Sequence, residues 1–159
     1  MTQNLTTVVS SKTQTVEINR DSPTVIIGER INPTGRKLML KAMKEGDFEM
    51  VRNDALSQVA AGAKILDVNT GVPGVDETAL MKKALSTVME AVEVPLCIDT
   101  ADIDALAAGL ELYEGKALIN SVNGEERSLS TVLPLAKEHG AAVIALCMDD
   151  DGIPETADQ

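Results

Sequence analysis

The sequence PLCIDT at Pro95–Thr100 is a short apolar run that ends abruptly on an aspartate, and it decides the fold. The three residues after the proline are typical of a strand buried on both faces, and Asp99 follows them without a spacer. A helix is predicted directly afterwards, over Ala101–Tyr113, with Thr100 or Asp102 as its N-cap. This pattern is typical of a βα unit that has a polar residue at the carboxyl end of the strand, just before the helix.

The same pattern recurs four times, each time with an acid or an amide at the end of the strand. These further strands are predicted at Val25–Glu29, Lys64–Asp67, Ala117–Asn120 and Val143–Asp149. The predicted helices between them are Arg36–Lys44, Phe48–Ala61, Glu77–Val92 and Ser128–His139. Five such junctions predict an α/β protein with a parallel sheet whose carboxyl edge carries polar side chains, the edge at which such folds bind ligands. Periodicity leaves open a complete doubly wound sheet or the first five strands of a (β/α)8 barrel.

Composition narrows the possible functions. The chain has 159 residues, 44% of them hydrophobic, and only 1% aromatic residues, so the core is built from aliphatic side chains. So few aromatic residues argue against a stacking surface for single-stranded nucleic acid, and a net charge of −11 would repel a phosphate backbone. We therefore expect no nucleic-acid partner.

The N-terminal stretch and the cysteines indicate a cytoplasmic protein. Residues 1–20 are polar and lack an apolar core, so neither a signal peptide nor a membrane contact is expected. They are predicted to form an N-terminal arm, with a weak strand at Thr13–Ile18 covering one end of a barrel, ahead of a domain at residues 21–159. Cys97 and Cys147 lie in apolar runs and are predicted to be buried thiols in a reducing compartment.

Polar residues at the strand ends are the candidate site. Glu29, Asp67, Asp99, Asn120 and Asp149 would converge at the mouth of a barrel, where carboxylates and amides suit a ligand rich in N–H donors. For Asp67 and Asp149 a helix-capping role is an equally open interpretation. The acidic triplet at residues 149–151 lacks the alternating ligands of a Ca²⁺ or Mg²⁺ site, so no metal is expected.

Five motifs, taken in order, resemble the pterin-binding domain of methyltetrahydrofolate:corrinoid methyltransferases, which is also the folate domain of cobalamin-dependent methionine synthase. The motifs are Ile27–Gly35, Leu66–Asn69, Pro95–Thr100, Ile119–Ser121 and Gly140–Asp151. Dihydropteroate synthase is a more distant relative with the same barrel, but its first-strand motif differs from the Glu29–Arg36 segment found here.

The resemblance implies a (β/α)8 barrel that holds the pterin across its carboxyl-terminal mouth. It implies that Asp99 and Asn120 are the catalytic residues and hydrogen-bond the pterin ring. The substrate-binding residues that it implies are Glu29, Asn32, Asp67, Asn69 and Ser121. The implied reaction passes the N5-methyl group of methyltetrahydrofolate to the Co(I) of a corrinoid, or cobalamin, carried by a partner protein, and the family implies a homodimer.

The sequence departs from the family in supplying five strands instead of eight. We therefore expect the N-terminal part of such a methyltransferase, whose activity on its own is open. Two alternatives remain at this point: a dihydropteroate synthase, and a non-catalytic five-stranded α/β binding module.

Overall fold

The computed structural model describes residues 5–156, which form a hairpin, five parallel strands and five helices. The strands are β1 Thr7–Ser10, β2 Thr15–Ile18, β3 Ile27–Ile31, β4 Ile65–Asn69, β5 Leu96–Asp99, β6 Leu118–Val122 and β7 Ala142–Ala145. The helices are α1 Lys37–Lys44, α2 Glu49–Ala60, α3 Glu77–Ala91, α4 Ile103–Leu112 and α5 Glu126–Glu138. Strands β1 and β2 pair antiparallel, and β3 to β7 form one parallel sheet.

The strand order of the parallel sheet follows the chain without reversal, β3-β4-β5-β6-β7. A doubly wound sheet reverses direction at a switch point and carries helices on both faces. Here the helices pack on one face alone, where strand residues such as Leu66 and Ile98 join helix residues such as Leu85 in the larger core cluster. This arrangement is that of a partial (β/α)8 barrel, which decides between the two architectures left open by the sequence.

The other face of the sheet, which we call the inner face, has its own small core. Ile65, Cys97 and Leu118 come from three neighbouring strands and are at most 3% exposed. We call these three residues the apolar layer. Val9 of the hairpin packs against them and is fully buried, so the hairpin covers the inner face near the amino ends of the strands.

The hairpin is fastened to the sheet by hydrogen bonds near the start of β5 and β6. The Tyr113 hydroxyl donates to the Ser10 carbonyl and accepts the Leu96 N–H, both at 3.0 Å. Ser10 and Lys116 also exchange backbone hydrogen bonds at 2.9 Å. Gly115 has a φ of 151°, and an added Cβ would lie 2.3 Å from the Ser10 oxygen, so only glycine permits this approach.

Residues 5–20 therefore contain a paired hairpin, whose second strand lies within the predicted Thr13–Ile18 segment. Residues 1–4 and 157–159, which the predicted arm and domain include, lie outside the described residues. No helix among the residues that the structure describes is long and apolar enough to cross a bilayer.

Four of the five strand ends differ from the predictions, and one open choice is decided. Strands β3, β4 and β6 each run two residues past the ends predicted at Glu29, Asp67 and Asn120. Strand β7 ends at Ala145, so Cys147 is exposed, and its predicted burial is wrong. Of the two candidate N-caps of α4, the structure uses Asp102, whose carboxylate accepts the N–H groups at positions 104 and 105.

Candidate functional site

Three neighbouring strands bring inward-facing polar residues to the carboxyl edge of the sheet. In the parallel register, Asn69 of β4 lies beside Asp99 of β5, and Asp99 lies beside Asn120 of β6. Side chains alternate between the two faces of a strand, so Asp67 and Asn69 share the inner face with Ile65. We call Asp67, Asn69, Asp99 and Asn120 the polar layer, since on each strand they follow the residue of the apolar layer toward the carboxyl edge.

The polar layer is organised as two amide–carboxylate pairs. The Asn69 amide donates through Nδ2 to Asp99 Oδ2 at 2.9 Å. The Asn120 amide donates through Nδ2 to Asp67 Oδ1 at 3.1 Å, reaching over the intervening strand β5. An ionised carboxylate has only acceptors, so each pair fixes which side of its amide faces the acid.

Asp67 is unusual for an ionisable residue because it is buried from solvent, with only 2% of its surface exposed. Burial, together with smaller effects of the negative charges of Asp99 and Glu29, raises the pKa of Asp67 to about 6. The hydrogen bond from Asn120 acts in the opposite direction, as does one from Cys97. Asp67 therefore exchanges its proton close to neutral pH, within the range useful for acid–base chemistry.

Cys97 belongs to the apolar layer, lies beside Asp67 in the parallel register, and stays protonated. Burial and the nearby charge of Asp67 raise the pKa of its thiol far above neutral pH. A nucleophilic thiolate is thereby excluded at this position, and Cys97 packs as a small apolar residue.

A cavity of about 410 Å³ opens beside the polar layer, between the amino-terminal ends of α4 and α5. Asp99, Asn120 and Ser121 line it from the sheet, and Arg127 from α5. Its volume is within the range of small-molecule sites.

The edge of this cavity is held by a contact that the sequence did not predict. Thr100 donates from Oγ1 to Glu77 of α3 at 2.5 Å and accepts the N–H of Asp102 at 3.0 Å. Thr100 lies inside the decisive PLCIDT stretch, which was the available signal, but nothing in the sequence identified Glu77 as its partner.

The remaining predicted site residues lie further out. Glu29 is exposed on β3 and acts on Asp67 through its charge. Asn32 accepts the N–H of Thr34 at 2.8 Å through Oδ1, which gives it a turn-forming role in this structure. Asp149 lies beyond the end of β7 in a turn that pairs with Gly152, so it does not join the strand-end residues. Within residues 5–156 no group of three acidic, histidine or cysteine side chains could hold a metal ion.

Comparison with known sequences identifies relatives over most of the chain. The family described as pterin binding enzyme matches residues 28–159. Methionine synthase of Mycobacterium tuberculosis (strain ATCC 25618 / H37Rv) is 35% identical over 154 residues, which are 94% of this chain and 13% of that protein. Methylcorrinoid:tetrahydrofolate methyltransferase of Eubacterium limosum is 36% identical over 137 residues, which are 85% of this chain and 50% of that protein. The chain thus spans half or less of the length of these relatives.

Solved structures support the fold. Dihydropteroate synthase (FolP) from Thermus thermophilus superposes with a TM-score of 0.58 at 24% identity, over 89% of this chain and 49% of that one. The homocysteine methyltransferase MmuM from Escherichia coli gives a TM-score of 0.54 at 15% identity, over 84% of this chain and 65% of that one. At these identities the likeness concerns the fold alone.

Proposed function

This chain belongs to the pterin-binding enzyme family, and from that premise we propose that its polar layer binds methyltetrahydrofolate for methyl transfer between N5 and a corrinoid. The observation that carries the proposal is the pair of amide–carboxylate contacts at the carboxyl edge of β4, β5 and β6. The relatives named as methionine synthase and methylcorrinoid:tetrahydrofolate methyltransferase support this chemistry over dihydropteroate synthesis.

The donor set fits a pterin ring. The pyrimidine edge of a pterin offers an amino group and a ring N–H side by side, and a carboxylate can accept from both. Asp99 is half-buried, lines the cavity, and is held in place by Asn69, so it is the acceptor we assign to this edge. Asn120 lines the same cavity and can both donate and accept.

The residues must also help the methyl group leave N5. An unprotonated amine is a poor leaving group, so N5 needs a proton or a hydrogen bond as the C–N bond breaks and its electron pair stays on nitrogen. The Asn120 amide has one N–H left after its bond to Asp67, and this N–H is available as a donor. A reduced corrinoid, when bound, supplies the Co(I) nucleophile that receives the methyl group.

The same residues serve transfer in either direction, since forward and reverse reactions share one transition state. We propose that a corrinoid protein docks over this edge of the sheet, that the whole enzyme is a cytoplasmic homodimer, and that methyl transfer belongs to an eight-unit barrel of which the described residues form five. Glu29, Asn32 and Ser121 remain proposed substrate contacts from the loops around the mouth.

Calorimetric titration with methyltetrahydrofolate tests the proposal. We expect saturable binding by the native chain and affinity about tenfold to a hundredfold weaker for Asp99→Asn, since a hydrogen bond to a charged group contributes about 1.5–3 kcal/mol. Asp104→Asn is the matched control, because Asp104 is an exposed acid on α4 outside the polar layer and should leave affinity unchanged. Equal affinity of the native chain and Asp99→Asn would contradict the assignment.

A second measurement separates an enzyme from a binding module. Methyltetrahydrofolate and free cob(I)alamin are mixed with the chain, and the absorbance change from cob(I)alamin to methylcobalamin is followed. A rate above the protein-free rate that Asp99→Asn lowers supports a transferase. Binding without any acceleration would instead favour a non-catalytic pterin-binding module.

A further inference from the structure

We propose that Asp67 is a positioning residue that acts through Asn120: its ionised carboxylate turns the Asn120 amide so that the amide oxygen is presented to the ligand. The inference rests on the function proposed above and concerns the same site. It assigns to Asp67 control over the hydrogen-bonding pattern that the ligand meets, in place of direct contact with the ligand.

The geometry of the Asp67–Asn120 pair decides which atom of the amide faces the carboxylate. An ionised carboxylate cannot donate, so the 3.1 Å contact between Asn120 and Asp67 Oδ1 must use Nδ2 of the amide. Such an amide keeps Oδ1 and one N–H for other partners. Asn120 is among the residues that line the cavity of about 410 Å³ at the carboxyl edge of the sheet. We infer that those groups meet a ligand bound at this edge.

The companion amide shows why Asn120 is the one that matters. Asn69 is turned in the same sense by Asp99, but its Oδ1 accepts the N–H of Gly71 at 3.0 Å. The Asn69 oxygen is thus used by the loop after β4, and Asn69 does not line the cavity. Of the two amides in the polar layer, Asn120 is therefore the one that offers its oxygen to a ligand.

Protonation of Asp67 would reverse this pattern. A protonated carboxyl has an O–H to donate, and its best partner in reach is the Asn120 oxygen, which requires the amide to turn over about its terminal bond. The ligand would then meet the N–H groups of Asn120 and no oxygen. An edge of the pterin made of N–H donors would lose an acceptor.

Several groups face Asp67 and set its charge state. Glu29 approaches from β3 and Asp99 from β5, and both carry negative charge. Cys97 of β5 lies beside Asp67, and the hydrogen bond from its neutral thiol favours the ionised carboxylate. Asn120 of β6 is a second neutral donor that favours the ionised form. These opposing influences, with burial the largest, leave the pKa of Asp67 at about 6.

The consequence for binding follows from the fraction of molecules in the competent state. With a midpoint near pH 6, Asp67 is about nine-tenths ionised at pH 7 and about one-tenth ionised at pH 5, so affinity should fall about tenfold between them. A residue with only a structural role would not produce this dependence in a protein that remains folded.

The first test needs no ligand and no variant. The side-chain amide signals of Asn120 are followed by ¹⁵N NMR in the ligand-free 159-residue chain between pH 4.5 and 8, with the exposed Asn53 as internal control. We expect the Asn120 signals to move with a midpoint near pH 6 and those of Asn53 to lack that step. Asn120 signals that stay constant through pH 6 would overturn the proposal.

The second test measures affinity for methyltetrahydrofolate from pH 5 to pH 8 for the native chain and Asp67→Asn. The variant can still accept the Asn120 N–H through its own amide oxygen but cannot titrate, so it should lose the tenfold weakening at pH 5. Titration of the ligand itself affects both proteins equally. Parallel pH profiles for the two proteins would contradict the role of Asp67.

The two tests separate this inference from the function on which it rests. An NMR step near pH 6 without any binding would leave the Asp67–Asn120 coupling standing and reject pterin binding. Binding without the NMR step would retain the proposed function and reject the coupling. If Asp67→Asn fails to fold, the NMR titration of the native chain still decides.

Discussion

The polar layer and the apolar layer lie on the same three strands but differ in polarity and in access to a cavity. On each strand the first residue of the polar layer follows the residue of the apolar layer by two positions. On β4 the inward residue changes from Ile65 to Asp67, and on β6 from Leu118 to Asn120. The apolar layer is sealed by Val9 of the hairpin, whereas the polar layer lies beside an open cavity. One end of the inner face is therefore a core, and the other is polar and is the site proposed above.

The difference shows how the chain separates stability from binding. Burying an aliphatic side chain such as Leu118 contributes about 1.5–3 kcal/mol. Burying the Asp67 carboxylate opposes folding, and the hydrogen bonds from Asn120 and Cys97 only partly offset this. A fold does not need such a residue in this place, which agrees with the ligand-binding role proposed above for the polar layer.

Removing bulk from the apolar layer should give the largest change in stability. Ile65→Ala is expected to lower the free energy of unfolding by about 3–4 kcal/mol, because Ile65 is fully buried and a cavity would remain. Urea unfolding measures this, with Ile26→Ala, at a half-exposed position, as control and a loss of about 0.5 kcal/mol or less expected. Equal losses for the two variants would show that the apolar layer is not a core.

Neutralising Asp67 should stabilise the protein at high pH. The folded-state pKa of about 6 lies above the usual value of 3.8, so the folded state holds this proton more tightly than the unfolded state. The native chain therefore loses about 2 kcal/mol of stability as pH rises from 4 to 6. Asp67→Asn should be more stable than the native chain at pH 8, by about 2 kcal/mol, with the difference vanishing near pH 4.

Urea unfolding of both proteins at five pH values between 4 and 8 tests this prediction. Asp104→Asn again provides the control, since an exposed acid should give a nearly constant difference. A native chain that gains stability relative to Asp67→Asn between pH 4 and pH 6 would contradict the raised pKa and the cost of the polar layer.

Loosening the hairpin should have the smallest effect. Tyr113→Phe removes the hydroxyl that joins Ser10 to the Leu96 N–H, and we expect a loss of about 1 kcal/mol. Hydrogen exchange should quicken in β1 and β2 while affinity for methyltetrahydrofolate stays unchanged. Weaker ligand binding in this variant would mean that the hairpin at one end of the inner face affects the polar layer at the other end.

The sequence predicted the features that depend on local pattern. The strand at the centre of the sheet, the helix after it and the Asp102 cap were all readable, because an apolar run and a capping residue act over a few positions. The family resemblance then supplied the barrel architecture, which periodicity had left open.

The features that the sequence did not predict depend on contacts between residues that are distant in sequence. The first strand was predicted to end at Glu29, yet charged Arg30 also lies on β3, at the edge of the described sheet, where an exposed side chain is tolerated. Cys147 was predicted to be buried because its run is apolar, but the strand ends two residues earlier. The sequence also indicated that Asp67 and Asn120 lie at strand ends, but not that Asn120 crosses over β5 to reach Asp67.

One calorimetric experiment tests the division between the layers most directly. Methyltetrahydrofolate is titrated into two variants of the same strand, Asn120→Ala and Leu118→Ala, at a temperature where both are folded. We predict that Asn120→Ala binds at least tenfold more weakly than the native chain while Leu118→Ala, although less stable, retains native affinity. Native affinity in Asn120→Ala, or equal weakening in both variants, would contradict the assignment of pterin binding to the polar layer.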